Sequence, residues 1–448
     1  MIRYPHGLGW HLCRGSHWDA DATEHVVELA RVTARRILLE AGVAVQQGGT
    51  LADEAALSKH AQRSKSERAI AAMLRLARAD QHALAIRPEQ LDADPWALNV
   101  ANGTLDLRTG ALRNHSREDL FTHLVPIAYD KEATAPRWER FLLEVCGDVD
   151  LALYLQRAVG YTLTGLTTEQ VLFLLYGTGA NGKTTALEII RKLLGGSGRR
   201  SLAIAASFET LLHQERRGGG ESASPDLARM AGRRLVVAVE ADAGRRLNEE
   251  RIKALTGTDT ISARRLYQDS FEFVPVLKLW LGCNHRPIIR GADKAIWRRV
   301  KLIPFTVTFG PGTLDPNLPA TLDGELPGIL RWAVEGALAW QREGLGEAKA
   351  VTAATEGYRE DSDVLGEFLS DRCALSEHAW VSSSDLHATY RKWSEDRGET
   401  PMGQRLFALR LEERTGIRKH RKDSGRGWAG VSVKEGHHAS SRGFGGDS

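Results

Sequence analysis

The chain has 448 residues, a formal net charge of +3, and 42% hydrophobic and 26% charged residues, which is the balance of a globular protein of roughly two to four domains. So small a charge does not by itself imply a nucleic-acid partner, so local basic clusters must carry that argument. Four scattered cysteines (Cys13, Cys146, Cys283, Cys373) form no CxxC and argue against a zinc site or a disulfide framework, and no apolar run approaches a membrane span or a signal peptide; the expectation is a cytoplasmic protein with no membrane contact.

Residues 1–90 read as a mainly helical region. Apolar residues at helical spacing (Val26, Leu29, Val32, Ile37, Leu38) predict a helix over 22–41, and a second is expected over 64–79. Residues 91–165 form the next unit. Asn102-Gly103 between short apolar runs is a hairpin signal. Asp92 and Asp94 could be the metal-binding pair of a polymerase or primase. Pro95 follows directly and no flanking strand completes such a site, so a polar turn is the better reading. Residues 138–164 read as two helices.

Residues 166–350 form the core, where alternating strand and helix patterns predict an α/β fold with a mostly parallel sheet. The apolar run Val171 to Leu175 breaks into Gly177, Thr178, Gly179, Ala180, Asn181, Gly182, Lys183, Thr184 and Thr185, and a helical pattern follows. This is the phosphate-loop spacing, strand–GxxxxGK[ST]–helix. Glycines let the loop turn its N–H groups around a polyphosphate, and the helix N-terminus adds positive partial charge. Lys183 would reach the β- and γ-phosphates of ATP, and the Thr184 hydroxyl would ligate Mg2+.

The apolar strand through Val239 ends in Glu240, with Asp242 two residues on; both are candidates for holding Mg2+ or polarising water. Another apolar strand ends in Asn284, which could orient the water or sense the γ-phosphate; alone, an asparagine there is usually a turn former. Arg298 and Arg299 follow a short helix and could reach a neighbouring subunit's γ-phosphate, or be solvated surface residues. Lys253, Arg264, Arg265 and Tyr267 mix basic and aromatic groups near an expected hairpin (261–266 and 271–274), a combination suited to single-stranded DNA. A linker is expected at 361–363. Residues 364–433 read as three helices and a basic hairpin in which Arg418, Lys419, Arg421 and Lys422 stand near Trp428, and 434–448 read as a disordered tail.

The ordered segments GTGANGKTT, PDLAR, RRLVVAVEAD, RRLNEERIKALTGTDTISAR, KLWLGCNHRP and IWRRVKLIPF resemble the superfamily 3 helicase core, and most closely the phage/plasmid primase-helicase family, similar to the poxvirus primase-helicase. The resemblance spans about residues 90–435. It implies an AAA+-like core, a homo-hexameric ring around single-stranded or forked DNA, ATP-driven 3′-to-5′ movement, and replication partners such as a primase and a polymerase. Lys183 and Thr184 fall in its A motif, Glu240 and Asp242 in its B motif, Asn284 at the sensor position, and Arg298 or Arg299 at the arginine-finger position. The B motif often has adjacent acids; here Ala241 separates them. The C-terminal segment resembles the family's winged-helix module. Residues 1–90 show no primase catalytic site. The expected function is an ATP-dependent DNA helicase in replication of a phage, prophage or plasmid-like element. The alternatives are an ATP-dependent origin-binding initiator and a bifunctional primase-helicase.

Overall fold

The structure, a computed structural model, describes residues 1–46, 50–80, 84–213, 225–239, 245–264, 269–289, 294–310, 315–398, 401–412, 414–422 and 425–434. The N-terminal region holds strands β1 (Ile2–Pro5), β2 (His11–Cys13) and β3 (Trp18–Ala20), helices α1 (His25–Gln46), α2 (Leu51–Ser64) and α3 (Glu67–Ala77), and strand β4 (Ala85–Ile86). Helices dominate it, as expected. The four-stranded sheet β3-β2-β1-β4 does not follow from the sequence pattern, because strands of two to four residues carry no readable period.

The next strands are β5 (Ala97–Val100), β6 (Gly103–Asp106) and β7 (Ala111–Arg113), an antiparallel meander. The expected hairpin is present, but Val100 pairs with Gly103, so Ala101 and Asn102 make the turn. Asn102 instead anchors a distant loop: its amide donates to Tyr129 O at 3.0 Å and its Oδ1 accepts from Tyr129 N at 2.9 Å. Helices α4 (Pro136–Cys146) and α5 (Val149–Leu163) follow, matching the predicted pair.

The core contains, in order, β8 (Leu172–Tyr176), α6 (Lys183–Leu193), β9 (Ala203–Ala205), α7 (Pro225–Met230), β10 (Leu235–Val239), α8 (Glu249–Thr256), β11 (Ile261–Arg264), β12 (Ser270–Phe273), β13 (Lys278–Cys283), α9 (Lys294–Trp297) and β14 (Val300–Pro304). Five of these strands form a parallel sheet in the order β14-β8-β13-β10-β9. The runs LFLLY, LVVAV and KLWLGC are almost wholly buried, as strands covered on both faces must be. Phe173, Leu175, Val237 and Trp280 face one hydrophobic cluster, and Leu172, Leu174, Val236 and Leu281 face another. The first cluster also takes in Leu98, Trp138 and Tyr154, so residues before the sheet share its core. β11 and β12 form a separate antiparallel hairpin, close to the expected bounds.

Helices α10 (Leu318–Gly324), α11 (Leu326–Glu343) and α12 (Lys349–Asp361) close the core. α11 crosses α5 where Gly160 lies against the backbone of Gly336 and Ala337; a Cβ at Gly160 would strike both. The C-terminal unit runs α13 (Val364–Arg372), β15 (Cys373–Ser382), α14 (Ser383–Asp396), α15 (Gln404–Glu412), β16 (Arg418–Lys422) and β17 (Gly425–Val433), with sheet order β15-β17-β16. The three helices and the basic hairpin match expectation; β15 is the addition. The predicted tail beyond Lys434 lies outside the described residues. Among the described residues no helix is long and apolar enough to cross a membrane.

Candidate functional site

β8 delivers the chain to the C-terminal edge of the sheet between β13 and β14, whose ends pair with it through Cys283↔Tyr176 and Pro304↔Tyr176. Ligands of open parallel sheets bind outside such strand ends. The loop 177–182 then turns tightly. Gly182 caps α6 at φ 83°, a left-handed conformation costly for a side chain, and a Cβ there would meet Val145 at 2.6 Å. Gly177 is fixed by crowding: a Cβ there would strike Asn181 Nδ2 and Phe305 O.

Lys183 opens α6 and is 5% exposed. Its Nζ donates to Gly177 O at 2.6 Å, Asn181 Oδ1 at 2.9 Å and Asn284 Oδ1 at 3.2 Å. Burial pulls its pKa below the ordinary lysine value. Asn181, itself 3% exposed, donates to Phe305 O at 3.1 Å and so ties the loop to the end of β14. Two residues 101 apart in sequence, Lys183 and Asn284, thus meet at one point. Thr178, Ala180 and Thr184 are exposed on the loop and first turn, and Gly179 and Thr185 are half-buried.

These groups line a cleft of about 360 Å³, running from Gly179 to Thr185 and including Asn284. Its other wall was not legible in the sequence. Arg137, Phe141 and Glu144 come from α4, and Phe309, Asp315, Leu318 and Pro319 come from beyond β14. Arg137 and Glu144 pair at 3.2 Å, and Phe309 N donates to Ala180 O at 2.8 Å. No motif marks these positions, since α4 precedes the loop by a whole helix and only tertiary packing brings it over. The cleft therefore combines an aromatic and aliphatic side with a buried cation and a loop of backbone donors, a combination that suits a nucleoside polyphosphate.

Glu240 and Asp242 lie outside the described residues. The strand leading to them ends at Val239, which pairs with Gly282, two residues before Asn284. Among the described residues no group of three or more His, Cys, Asp or Glu could hold a metal ion. Thr184 lines the cleft beside Lys183, where a hydroxyl ligand to a phosphate-bound cation would stand.

The two arginines after α9 differ sharply. Arg299 is 7% exposed and donates to Thr256 Oγ1 at 3.2 Å, Ala295 O at 2.8 Å and Gln170 Oε1 at 3.2 Å. Arg298 is exposed and reaches Gln170 Oε1 at 3.3 Å.

Asp92 and Asp94 are both engaged. Asp92 accepts from Thr122 N at 2.9 Å and lies 3.2 Å from His123 Nδ1, a histidine that nothing in the local sequence pairs with it. It is desolvated, yet His123 and the Thr122 donors hold its pKa below the ordinary carboxylate value. Asp94 accepts from Trp96 N at 3.0 Å and from Arg108 at 3.1 Å. The polar-turn reading fits these bonds.

Of the residues expected to touch DNA, Lys253 is half-buried in the last turn of α8 and Arg264 is exposed at the end of β11; Arg265 and Tyr267 lie outside the described residues. All five residues of β16, Arg418 to Lys422, are exposed, a bare basic edge strand. Trp428 is 2% exposed and belongs to the C-terminal core with Phe368 and Trp393, so it cannot stack on a base. Half-buried Trp380 takes its place at the surface, with Lys422 Nζ 5.1 Å from its ring. On the expectation that β16 touches DNA, Arg421→Gln with Lys422→Gln, which removes two positive charges, should reduce the salt slope of binding by about 2 and weaken different sequences alike, in a fluorescence-anisotropy titration against salt. An unchanged slope would remove β16 from the interface.

Three family models match parts of the chain. The family described as D5 N terminal like matches residues 1–147, a family of unknown function (DUF5906) matches 175–299, and the Poxvirus D5 protein-like family matches 360–433. Among curated proteins, one named "Putative helicase" from Acanthamoeba polyphaga mimivirus is 28% identical over 341 residues, covering 70% of this chain and 35% of that protein. A "Putative helicase" of Frog virus 3 is 35% identical over 181 residues, covering 39% of this chain and 18% of the relative. A "Putative primase" of African swine fever virus is 25% identical over 219 residues, covering 48% and 22%. The chain thus spans about a third or less of the length of these relatives. Among solved structures, the apo C-terminal region of NrS-1 aligns at a TM-score of 0.47 and 10% identity, covering 96% of each chain. The chain thus carries a D5 N terminal like segment at its start and a Poxvirus D5 protein-like segment at its end, and it is similar to viral proteins named putative helicase and putative primase.

Proposed function

We propose that the chain is an ATP-dependent DNA helicase of superfamily 3, with an AAA+-like core, a C-terminal winged helix and 3′-to-5′ movement, working in replication of a phage, prophage or plasmid-like element. One observation carries the reading: Lys183, at the head of α6, contacts Asn284, at the end of the neighbouring strand, inside a cleft at the C-terminal edge of a parallel sheet. A phosphate-binding cation and a polar sensor must stand this close to act on one phosphate. The strand order β14-β8-β13-β10-β9 and the helix–strand–helix–helix–hairpin order of residues 364–433 support the two domain assignments.

In this reading the Lys183 ammonium exchanges its bonds to the Gly177 and Asn284 oxygens for ATP phosphate oxygens, and Asn284 is freed to orient the attacking water. Thr184 and Glu240 would hold Mg2+, which neutralises phosphate charge when bound, and Glu240 or Asp242 would polarise the water. ATP would sit at the subunit interface of a homo-hexamer, completed by a neighbour's arginine. Arg298 suits that task because its guanidinium is exposed, while Arg299 is spent on three internal bonds. Arg298→Ala should abolish turnover with an unchanged melting temperature, and Arg299→Ala should cost about 2–4 kcal/mol of stability. A stable, inactive Arg299 variant beside a fully active Arg298 variant would reverse the assignment.

The deciding experiment is strand displacement on a DNA fork with ATP and Mg2+. ATP hydrolysis and DNA binding without displacement would favour the origin-binding initiator. The relative named for primase activity supports a second reading, a bifunctional primase-helicase, which ribonucleotide primer synthesis on single-stranded template would reveal.

A further inference from the structure

The cleft occupies the C-terminal edge of the parallel sheet. The opposite edge, where β9 and β10 begin, carries a separate cluster of arginines. Arg199 and Arg200 lie just before β9, Arg233 just before β10, Arg229 on α7, and Arg14 in the turn between β2 and β3. Contacts join them into one face. Arg200 donates to the Asp19 carboxylate through Nε at 3.0 Å and Nη2 at 2.8 Å, and Arg14 Nε stands 3.7 Å from the same carboxylate. Arg233 Nη1 donates to Ser201 O and, at 3.3 Å, to Arg199 O. Arg229 is near enough that, after burial, its charge is the main influence depressing the Arg233 guanidinium.

Arg14, Arg199, Arg200 and Arg229 are exposed. Among the described residues, the ion pairs of this face use Asp19 and, at 3.8 Å from Arg229, Asp226. Five cations thus meet three carboxylates, counting Asp92, whose charge acts on Arg233. The Nε of half-buried Arg233 has no hydrogen-bond partner among the described residues. Such self-repelling charge destabilises a fold unless a polyanion offsets it. All five are arginines, whose planar fork clasps phosphate oxygens in pairs, and the cluster has none of the aromatic anchors that centre a protein–protein interface.

We propose that this arginine face is a second nucleic-acid contact, gripping the phosphodiester backbone independently of sequence at the edge of the sheet opposite the nucleotide cleft. It binds across the joint between the N-terminal sheet and the core, because Arg14 comes from the first and the other four from the second. The proposal rests on the reading that the chain works on DNA.

The test is the full chain carrying Arg199→Gln and Arg229→Gln, which leaves Arg200 and Arg233 to hold Asp19 and Ser201. The probe is fluorescein-labelled forked DNA, titrated by anisotropy from about 50 to 200 mM salt. The variant should bind about 5- to 50-fold more weakly at the low end, with a salt slope reduced by about 2, and keep its DNA-free ATPase rate and melting temperature. If wild type binds and the variant binds with the same affinity and slope, the arginine face is no contact, while the helicase reading stands. If wild type binds forked DNA at no salt concentration, both fall.

Discussion

Lys183→Ala should reduce ATP hydrolysis by at least about 1000-fold, the scale expected when a preorganised cation is removed from a developing phosphate charge. The protein should remain folded. The substitution deletes three hydrogen bonds and leaves Asn181 Oδ1 and Gly177 O without their donor, which costs about 1–3 kcal/mol. The loop itself keeps its shape, because the Asn181 bond to Phe305 O and the Gly182 cap do not involve the lysine. A melting curve within several degrees of wild type, with no turnover, is the expected result. Near-normal turnover in a folded variant would remove the phosphate-loop assignment. Lys183→Arg should be inactive too, since a guanidinium does not fit a site that is 5% exposed and ringed by three fixed oxygens.

This site was legible to different depths. The loop could be read because its chemistry is local: glycines, lysine and threonine stand next to one another between a strand and a helix. Asn284 could be read because a strand end is a fixed place on a parallel sheet, whatever the distance in sequence. The second wall, Phe141 and Arg137 with Phe309, depends on where α4 folds back and on the path beyond β14, and no period or spacing encodes either. Trp428 was legible only in part. Its place beside a basic run does not reveal that it sits on the central strand of its sheet, where position in the sheet overrides composition. The short N-terminal strands escaped for want of length, and the hairpin near Asn102 turned one residue early because its side chain is used to hold Tyr129.

The second large effect concerns two charges that no motif marks. Arg234 and Lys278 are 5% and 1% exposed, side by side at the starts of β10 and β13. Neither has a carboxylate in contact among the described residues; backbone carbonyls hold both. Arg234 donates to Leu163 O at 2.6 Å, Ala97 O at 2.9 Å and Asp94 O at 3.3 Å. Lys278 donates to Thr164 O and, at 3.3 Å, to Leu166 O and Val276 O, with its ammonium 5.0 Å from the Tyr161 ring. Together they clamp the end of α5 and the start of the β5 hairpin onto the sheet, and the carbonyl end of a helix favours a cation. Arg234→Ala strands three buried carbonyls and should cost about 3–5 kcal/mol, seen as a melting temperature at least about 5 °C lower. Lys278→Met should cost far less, because it also removes a desolvated charge that its neighbour repels. The two differ in pH response as well. Burial, with repulsion from Arg234, holds the Lys278 pKa well below the ordinary value. Between its folded pKa and the unfolded value of about 10.4, the unfolded chain binds the extra proton, so stability rises with pH across that window. Lys278→Met should flatten the rise in melting temperature as pH climbs toward about 10.4, while leaving Arg234 in place. A variant that keeps the wild-type rise would show that Lys278 is not the group that titrates, and a harmless Arg234→Ala would show that the joint is held by the shared hydrophobic core of Leu98, Trp138 and Tyr154 alone.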